Sequence, residues 1–345
     1  MSTPPTQDPI KVYIDAAVAA IHDPSLPPEE VADRILPLCR QALSVAPARD
    51  RTDDDDTPGL EGFMWTIWGA VVQHAQEDRS AHDRLCSIVY ALKAKGSDAC
   101  EGWHLWGSDF SWADLPVFRL SVREFMNGPD MYSTLHHPFA APSSPASCEA
   151  CAALAGDPPA TNSSERFRAG ALARTRWLNM NAFVARLWTR AVIDCADYAL
   201  MTMAHMLEPY SLPPEERRRG RGGGGGSAEC GGTVWSAMHE DPMELQIEVA
   251  SIWVQEVGDK MYASRQILGP NGNPDWPQNA GRPGGSGGTW DGVDGYHPER
   301  WTHWKSVFEG IAKGEGRRNM IEAATAAVEV METVERRAAT YVDER

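Results

Sequence analysis

The chain has 345 residues, of which 42% are hydrophobic and 23% charged, with a formal net charge of −16. This composition excludes general disorder and leaves enough apolar surface for a large core. The acidic balance repels phosphate backbones, so no nucleic-acid partner is expected.

Taken in chain order, the opening MSTPPTQDPIKVYID has no basic segment followed by an apolar one, so no secretory leader is expected. No run of 18 apolar residues occurs, so no membrane span is expected either. Seven scattered cysteines read as reduced thiols, which makes the expected compartment cytoplasmic or nuclear. N-terminal helices within 10–45 carry the stripe Val31, Ile35, Leu38, Ala42 and Leu43, interrupted by Pro37. A first insertion follows at about 46–59. Its acidic run Asp53–Asp56 lacks the spaced ligands and glycine of a calcium loop and reads as solvated.

A helix over about 60–77 places Phe63, Ile67, Ala70, Val71 and His74 on one face. Another over about 80–95 carries His82, Leu85, Val89 and Leu92, and the short connection predicts an antiparallel hairpin. His74 and His82 are the residue type for proton transfer or metal binding. With no third ligand nearby, satisfied core histidines are expected instead. A second insertion spans about 139–163. There Cys148 and Cys151 have C-x-x-C spacing behind His136 and His137, but this order matches no standard zinc finger. No metal and no cofactor is expected.

Residues 164–207 contain no proline and predict one very long helix or two in series, with Trp177, Val184, Trp188, Ala191 and Cys195 along one side. Asn181 projects into that stripe, where an amide must find partners: a neighbouring backbone, or a ligand that it orients. Arg186 projects to the opposite side. A third insertion, about 211–236, holds the low-complexity EERRRGRGGGGGSAECGG. Asp241, Pro242 and Glu244 then mark a helix start, with Met243, Ile247, Ala250, Val254, Val257 and Met261 as its stripe.

After a fourth insertion, about 268–297, Pro298 opens a helix in which Trp301, Trp304, Phe308 and Ile311 fall within about 80° of arc. The two indoles and the phenyl are read as core positions. Arg300 lies beside the stripe in the first turn, where the helix dipole disfavours a cation. It must snorkel, stack on an indole, meet a buried carboxylate, or anchor an anionic ligand. A C-terminal helix closes the chain on Ile321, Ala324, Val328, Met331, Val334, Ala338 and Tyr341. Strand signals are scarce. The expected fold is therefore all-α, an irregular multi-helix bundle with long flexible loop insertions. It is read as a single helical domain whose core spans about 60–343.

The stretches RWTHWKSVF, LNMNAFVARLW, MWTIWGAVVQHA and IEVASIWVQEVGDKMY together resemble a fungal-specific helical family catalogued only as a domain of unknown function. Its R-W-x-x-W-K-x-x-F helix is matched by Arg300, Trp301, Trp304, Lys305 and Phe308. Its L-N-x-F-x-A-R-L-like helix corresponds to Leu178, Asn181, Phe183, Ala185, Arg186 and Leu187, with one extra residue here. The resemblance covers about 60–315, with the glycine-rich 220–232 and 281–288 as departures. It implies an intracellular helical fungal protein, sometimes from gene sets linked to secondary metabolism or self/non-self responses, and it implies no reaction.

Phosphate-loop, dinucleotide, metalloprotease and nucleophile-elbow motifs are missing from the sequence, and the aspartate run sits in a loop rather than on a terpene-cyclase helix. No catalytic residue emerges. The leading expectation is a non-catalytic protein that binds a protein partner. The alternative is a small-molecule-binding protein or enzyme of fungal secondary metabolism, with an aromatic pocket built from Trp177, Asn181, Arg300, Trp301 and Trp304 and anchored by Arg300. A buried acid on Arg300 favours the first, and an empty aromatic cavity facing it the second.

Overall fold

The computed structural model describes residues 9–46, 56–97, 100–126, 128, 149–160, 163–208, 242–286, 288 and 290–343. Asp53–Asp55, His136, His137, Cys148, Asp241 and the glycine-rich 220–232 lie outside the described residues, as does the side chain of Cys151. The fold is all-α, with eleven α-helices among the described residues and one two-stranded hairpin. Contacts group the chain into two compact units, Met1–Met126 and Asn127–Arg345.

The first unit holds α1 (Lys11–His22), α2 (Pro28–Ser44), α3 (Leu60–Glu77) and α4 (His82–Lys93), then β1 (His104–Leu105), β2 (Ser108–Asp109) and α5 (Phe118–Phe125). Helix α1 packs on α2 and α3, and α2 on α4. Arg84 of α4 closes the end of α1. Its guanidinium donates to the carbonyls of Ile21 at 2.6 Å and Leu26 at 3.3 Å, and to that of Asp23, where a helix end leaves acceptors unsatisfied. Trp68, Trp112 and Phe118 form a buried aromatic cluster, and the Trp68 indole donates to the Pro116 carbonyl at 2.8 Å.

The strands pair antiparallel, His104 opposite Asp109 and Leu105 opposite Ser108, leaving Trp106 and Gly107 as a two-residue turn. Both have left-handed φ, 52° and 72°. That is the pattern of a type I′ hairpin turn, whose twist matches the strands. Two-residue strands carry too little alternation to be read from sequence, and α5, at eight residues, too little helical period.

The second unit holds α6 (Glu149–Leu154), α7 (Glu165–Thr189), α8 (Ala196–Leu207), α9 (Met243–Ala263), α10 (Pro298–Lys313) and α11 (Arg318–Asp343). The long apolar stretch is thus two helices in series. The break has no glycine or proline: Ala191 takes a left-handed φ of 55°, and the Asp194 carboxylate accepts the Ala196 N–H at 2.9 Å to start α8. Helices α7 and α9 run parallel, since their cross-links ascend together: Arg174 to Glu248, Asn181 to Trp253, Arg186 to Glu256. Helices α9 and α11 are likewise parallel, through Ser251 to the Ala323 carbonyl and Arg337 to Asp259. With α10 folded back on α11 across a short connection, these helices form the unit's core.

Candidate functional site

Helix α10 begins where His297 accepts the Glu299 N–H and Pro298 occupies the first turn. Trp301, Trp304 and Phe308 are buried, as their phase requires. Arg300 is buried as well, at 0% exposure, and so is Glu208 just past the end of α8. The Arg300 Nε donates to Glu208 Oε1 at 2.7 Å. Its Nη1 donates to the carbonyls of Gly284 at 2.7 Å and Gly295 at 3.1 Å, and its Nη2 to that of Gly285 at 3.1 Å. Four hydrogen bonds therefore draw on the five N–H groups of the guanidinium, and every one ends on this chain. Its faces are taken too, by the rings of Trp304 at 5.4 Å and Trp290 at 5.6 Å.

The motif residues share carboxylates in pairs. Glu208 receives Arg300 and also the Trp304 indole N–H, at 3.2 Å. Glu335 of α11 receives the Trp301 indole N–H at 3.0 Å and the Lys305 ammonium at 2.6 Å. Residues four apart lie one above the other on a helix, so each pair meets a single acid. One acid ties α10 to the end of α8, and the other ties it to α11. The dense aromatic and cationic lettering of RWTHWK is thus a double clamp.

The segment 264–297 is drawn around the same point. The Leu268 N–H meets the Asp294 carbonyl at 2.6 Å, the Gly284 N–H meets the Leu268 carbonyl at 2.8 Å, and the Tyr296 N–H meets the Gln266 carbonyl at 3.0 Å. Two of its glycines are compelled by space: a Cβ on Gly295 would lie 2.2 Å from the Gln266 carbonyl oxygen, and one on Gly284 the same distance from that of Asp294. Burial alone would raise the Asp294 carboxyl. Hydrogen bonds from Arg282 and the Asn271 N–H, with the positive fields of Arg282 and Arg300, outweigh burial and hold it below the usual carboxylate range. The Tyr296 hydroxyl, pushed well up by burial, donates to the Ala196 carbonyl at 2.7 Å.

Of the remaining candidates, Asn181 is fully buried. Its amide donates to the Trp177 carbonyl at 3.0 Å and accepts the Trp253 indole N–H at 2.9 Å. The first bond lies within α7, the second ties α7 to α9, and neither involves Arg300. Trp177 is 1% exposed, and its own indole N–H has no partner among the described residues. The five candidates thus fall into two groups, Trp177 with Asn181 on α7 and Arg300, Trp301 and Trp304 on α10. Sequence reasoning missed Glu208 and Glu335, which no local motif marks.

In the first unit His82 is fully buried and donates to the Ala75 carbonyl at 2.8 Å. His74 instead stacks on His22 of α1, centroids 4.5 Å apart and planes within 8°. Burial lowers its pKa, and the His22 neighbour adds to the effect. No cluster of three or more metal-ligating side chains occurs among the described residues. A shallow groove of about 510 Å³ lies between α1 and α2, lined by Ala16, Ala19, Leu26, Pro37 and Leu38, and holds none of the five candidates.

A family model described as "Protein of unknown function (DUF3632)" matches residues 65–308, more than half of the chain. The chain belongs to this family. The DUF3632 segment ends on Phe308, the last residue of the α10 motif, so it contains Arg300 with its partner Glu208 but not Glu335. No curated protein and no solved structure matches the chain. No helix among the described residues is long and apolar enough to cross a membrane.

Proposed function

We propose that this DUF3632 protein is a non-catalytic helical protein of the fungal cytoplasm or nucleus, acting by binding a protein partner and no nucleic acid. The observation that carries the reading is the saturation of Arg300 by Glu208, three glycine carbonyls and two indole faces. A ligand anchor must keep donors pointed at an open space, and this guanidinium has spent four of its five donors on the fold. Asn181 is spent in the same way on Trp177 and Trp253. The four described free cysteines are all buried, which suits a reducing compartment.

Native mass spectrometry of the full chain, purified from a fungal host and paired with a metal scan, tests this. A bare polypeptide mass, as one copy or several, is the expected result. A stoichiometric small-molecule adduct would overturn the reading in favour of an aromatic pocket, and stoichiometric zinc would redirect attention to Cys148, Cys151, His136 and His137.

A further inference from the structure

We propose that the tip of the β1–β2 hairpin is the docking point for a basic segment of the partner, with a lysine or arginine side chain lying on the Trp106 indole. The proposal rests on the protein-binding reading above and names the partner's chemistry.

Trp106 is 49% exposed, the bulkiest of the exposed large apolar side chains. Its position is doubly unfavourable for the fold. The two turn residues must both be left-handed, which asparagine and glycine accept easily and tryptophan does not, yet Trp106 sits there with φ 52°. The ring also gains little from burial, while its neighbours Leu105, Phe110 and Trp112 are buried. Neither local conformation nor core packing accounts for an indole here. Exposed, pre-positioned tryptophan is the residue type that anchors protein interfaces.

The base of the tip is held firmly. Beyond the strand pairing, the Thr57 N–H donates to the His104 carbonyl at 2.9 Å, the His104 N–H to the Thr57 hydroxyl at 2.9 Å, and the Gly107 N–H to Asp56 Oδ1 at 3.0 Å. A ring presented from a fixed turn loses little freedom on binding.

Charge selects the occupant. No lysine or arginine occurs between Arg51 and Arg79, nor between Lys95 and Arg119, and the hairpin joins these two stretches. Asp56 sits on the turn amide. Asp109, its side chain 93% exposed, flanks the turn beside His104 at 3.2 Å, and Glu101 and Asp114 are exposed in the same loop. Lys95, the cation at the edge of this span, is paired with Asp33 at 2.5 Å. An electron-rich ring face on a turn held by Asp56 and flanked by the exposed Asp109 is complementary to a cation. The same carboxylates repel nucleic acid and anionic lipid, and a purely apolar partner would leave them desolvated.

The test is fluorescence anisotropy of the full chain with a short labelled peptide of alternating arginine and glycine, against a glutamate–glycine peptide of equal length. Saturable binding of the arginine peptide alone is expected. Trp106→Ala should weaken it about tenfold, since the ring goes and the charge stays. Trp106→Phe should retain part of the affinity, and Asp109→Asn should weaken binding and lessen its salt dependence. Thermal melts by circular dichroism should show Trp106→Ala folded as stably as the parent. Parental affinity in Trp106→Ala would overturn the proposal, as would absence of arginine-peptide binding. So would self-association that Trp106→Ala abolishes in sedimentation velocity, because the occupant would then be a second copy. Any of these leaves the wider reading standing if the native mass is bare, whereas a small-molecule adduct removes that reading whatever the hairpin binds.

Discussion

Helix α10 and the β1–β2 hairpin use the same ingredients to opposite ends. In α10, Trp301 and Trp304 lie in the core with Arg300, and two carboxylates absorb the indole N–H groups and the cations. In the hairpin, an indole stands half in water beside carboxylates, with no cation among the described residues laid on it. A crowd of aromatic and charged letters therefore does not mark a binding site by itself. What distinguishes a wall of the fold from a surface that can receive something is whether donors and ring faces are already spent.

The largest effect expected is at the buried pair. Arg300→Met should cost about 3–5 kcal/mol in urea unfolding, because it removes the Arg300 charge from the buried Glu208 carboxylate. A loss below about 1 kcal/mol would break the contrast, since an arginine so lightly held could serve a ligand. Next is Gly295→Ala, whose Cβ would strike the Gln266 backbone; about 1–3 kcal/mol should be lost, checked by the same unfolding curves. An unaffected variant would mean that segment 264–297 does not close around Arg300 in solution.

At the hairpin the sign should reverse. Trp106→Asn builds the Asn-Gly pair that type I′ turns prefer, so stability should rise by about 1 kcal/mol. A loss there would make Trp106 a structural residue and count against the docking role. The His22–His74 stack lies between the two extremes. Burial, the His22 ring and Arg84 hold the His74 pKa down, against the pull of Asp78 and Glu77. The folded state therefore binds a proton less readily than the unfolded chain, and stability should decline as pH falls below the unfolded value of about 6.5. Melting temperatures between about pH 7.5 and 5.5 should show a decline that His74→Gln makes shallower.

Much of the helical layout is legible in the sequence. Leu60–Glu77 has the predicted bounds of the third helix, and Pro298 opens α10 as its chemistry demands. The stripe of Trp301, Trp304 and Phe308 is buried for the reason its phase states. Less visible was the break after Thr189, because Ala191 adopts a left-handed conformation that nothing in its residue type announces, and only Asp194 hints at a new helix start. The hairpin escaped notice for a related reason, a tryptophan standing where a turn signal would be asparagine.

Which segments are helical, and which of their faces turn inward, follows from local letters, because apolar period and capping residues act within a few turns of chain. The role of Arg300 is set by long-range packing. Its acid lies 92 residues back at the end of α8, and its three carbonyls belong to glycines of the preceding segment. No local rule relates those positions. The burial of the guanidinium is tolerable only because the fold brings all its partners to one point at once.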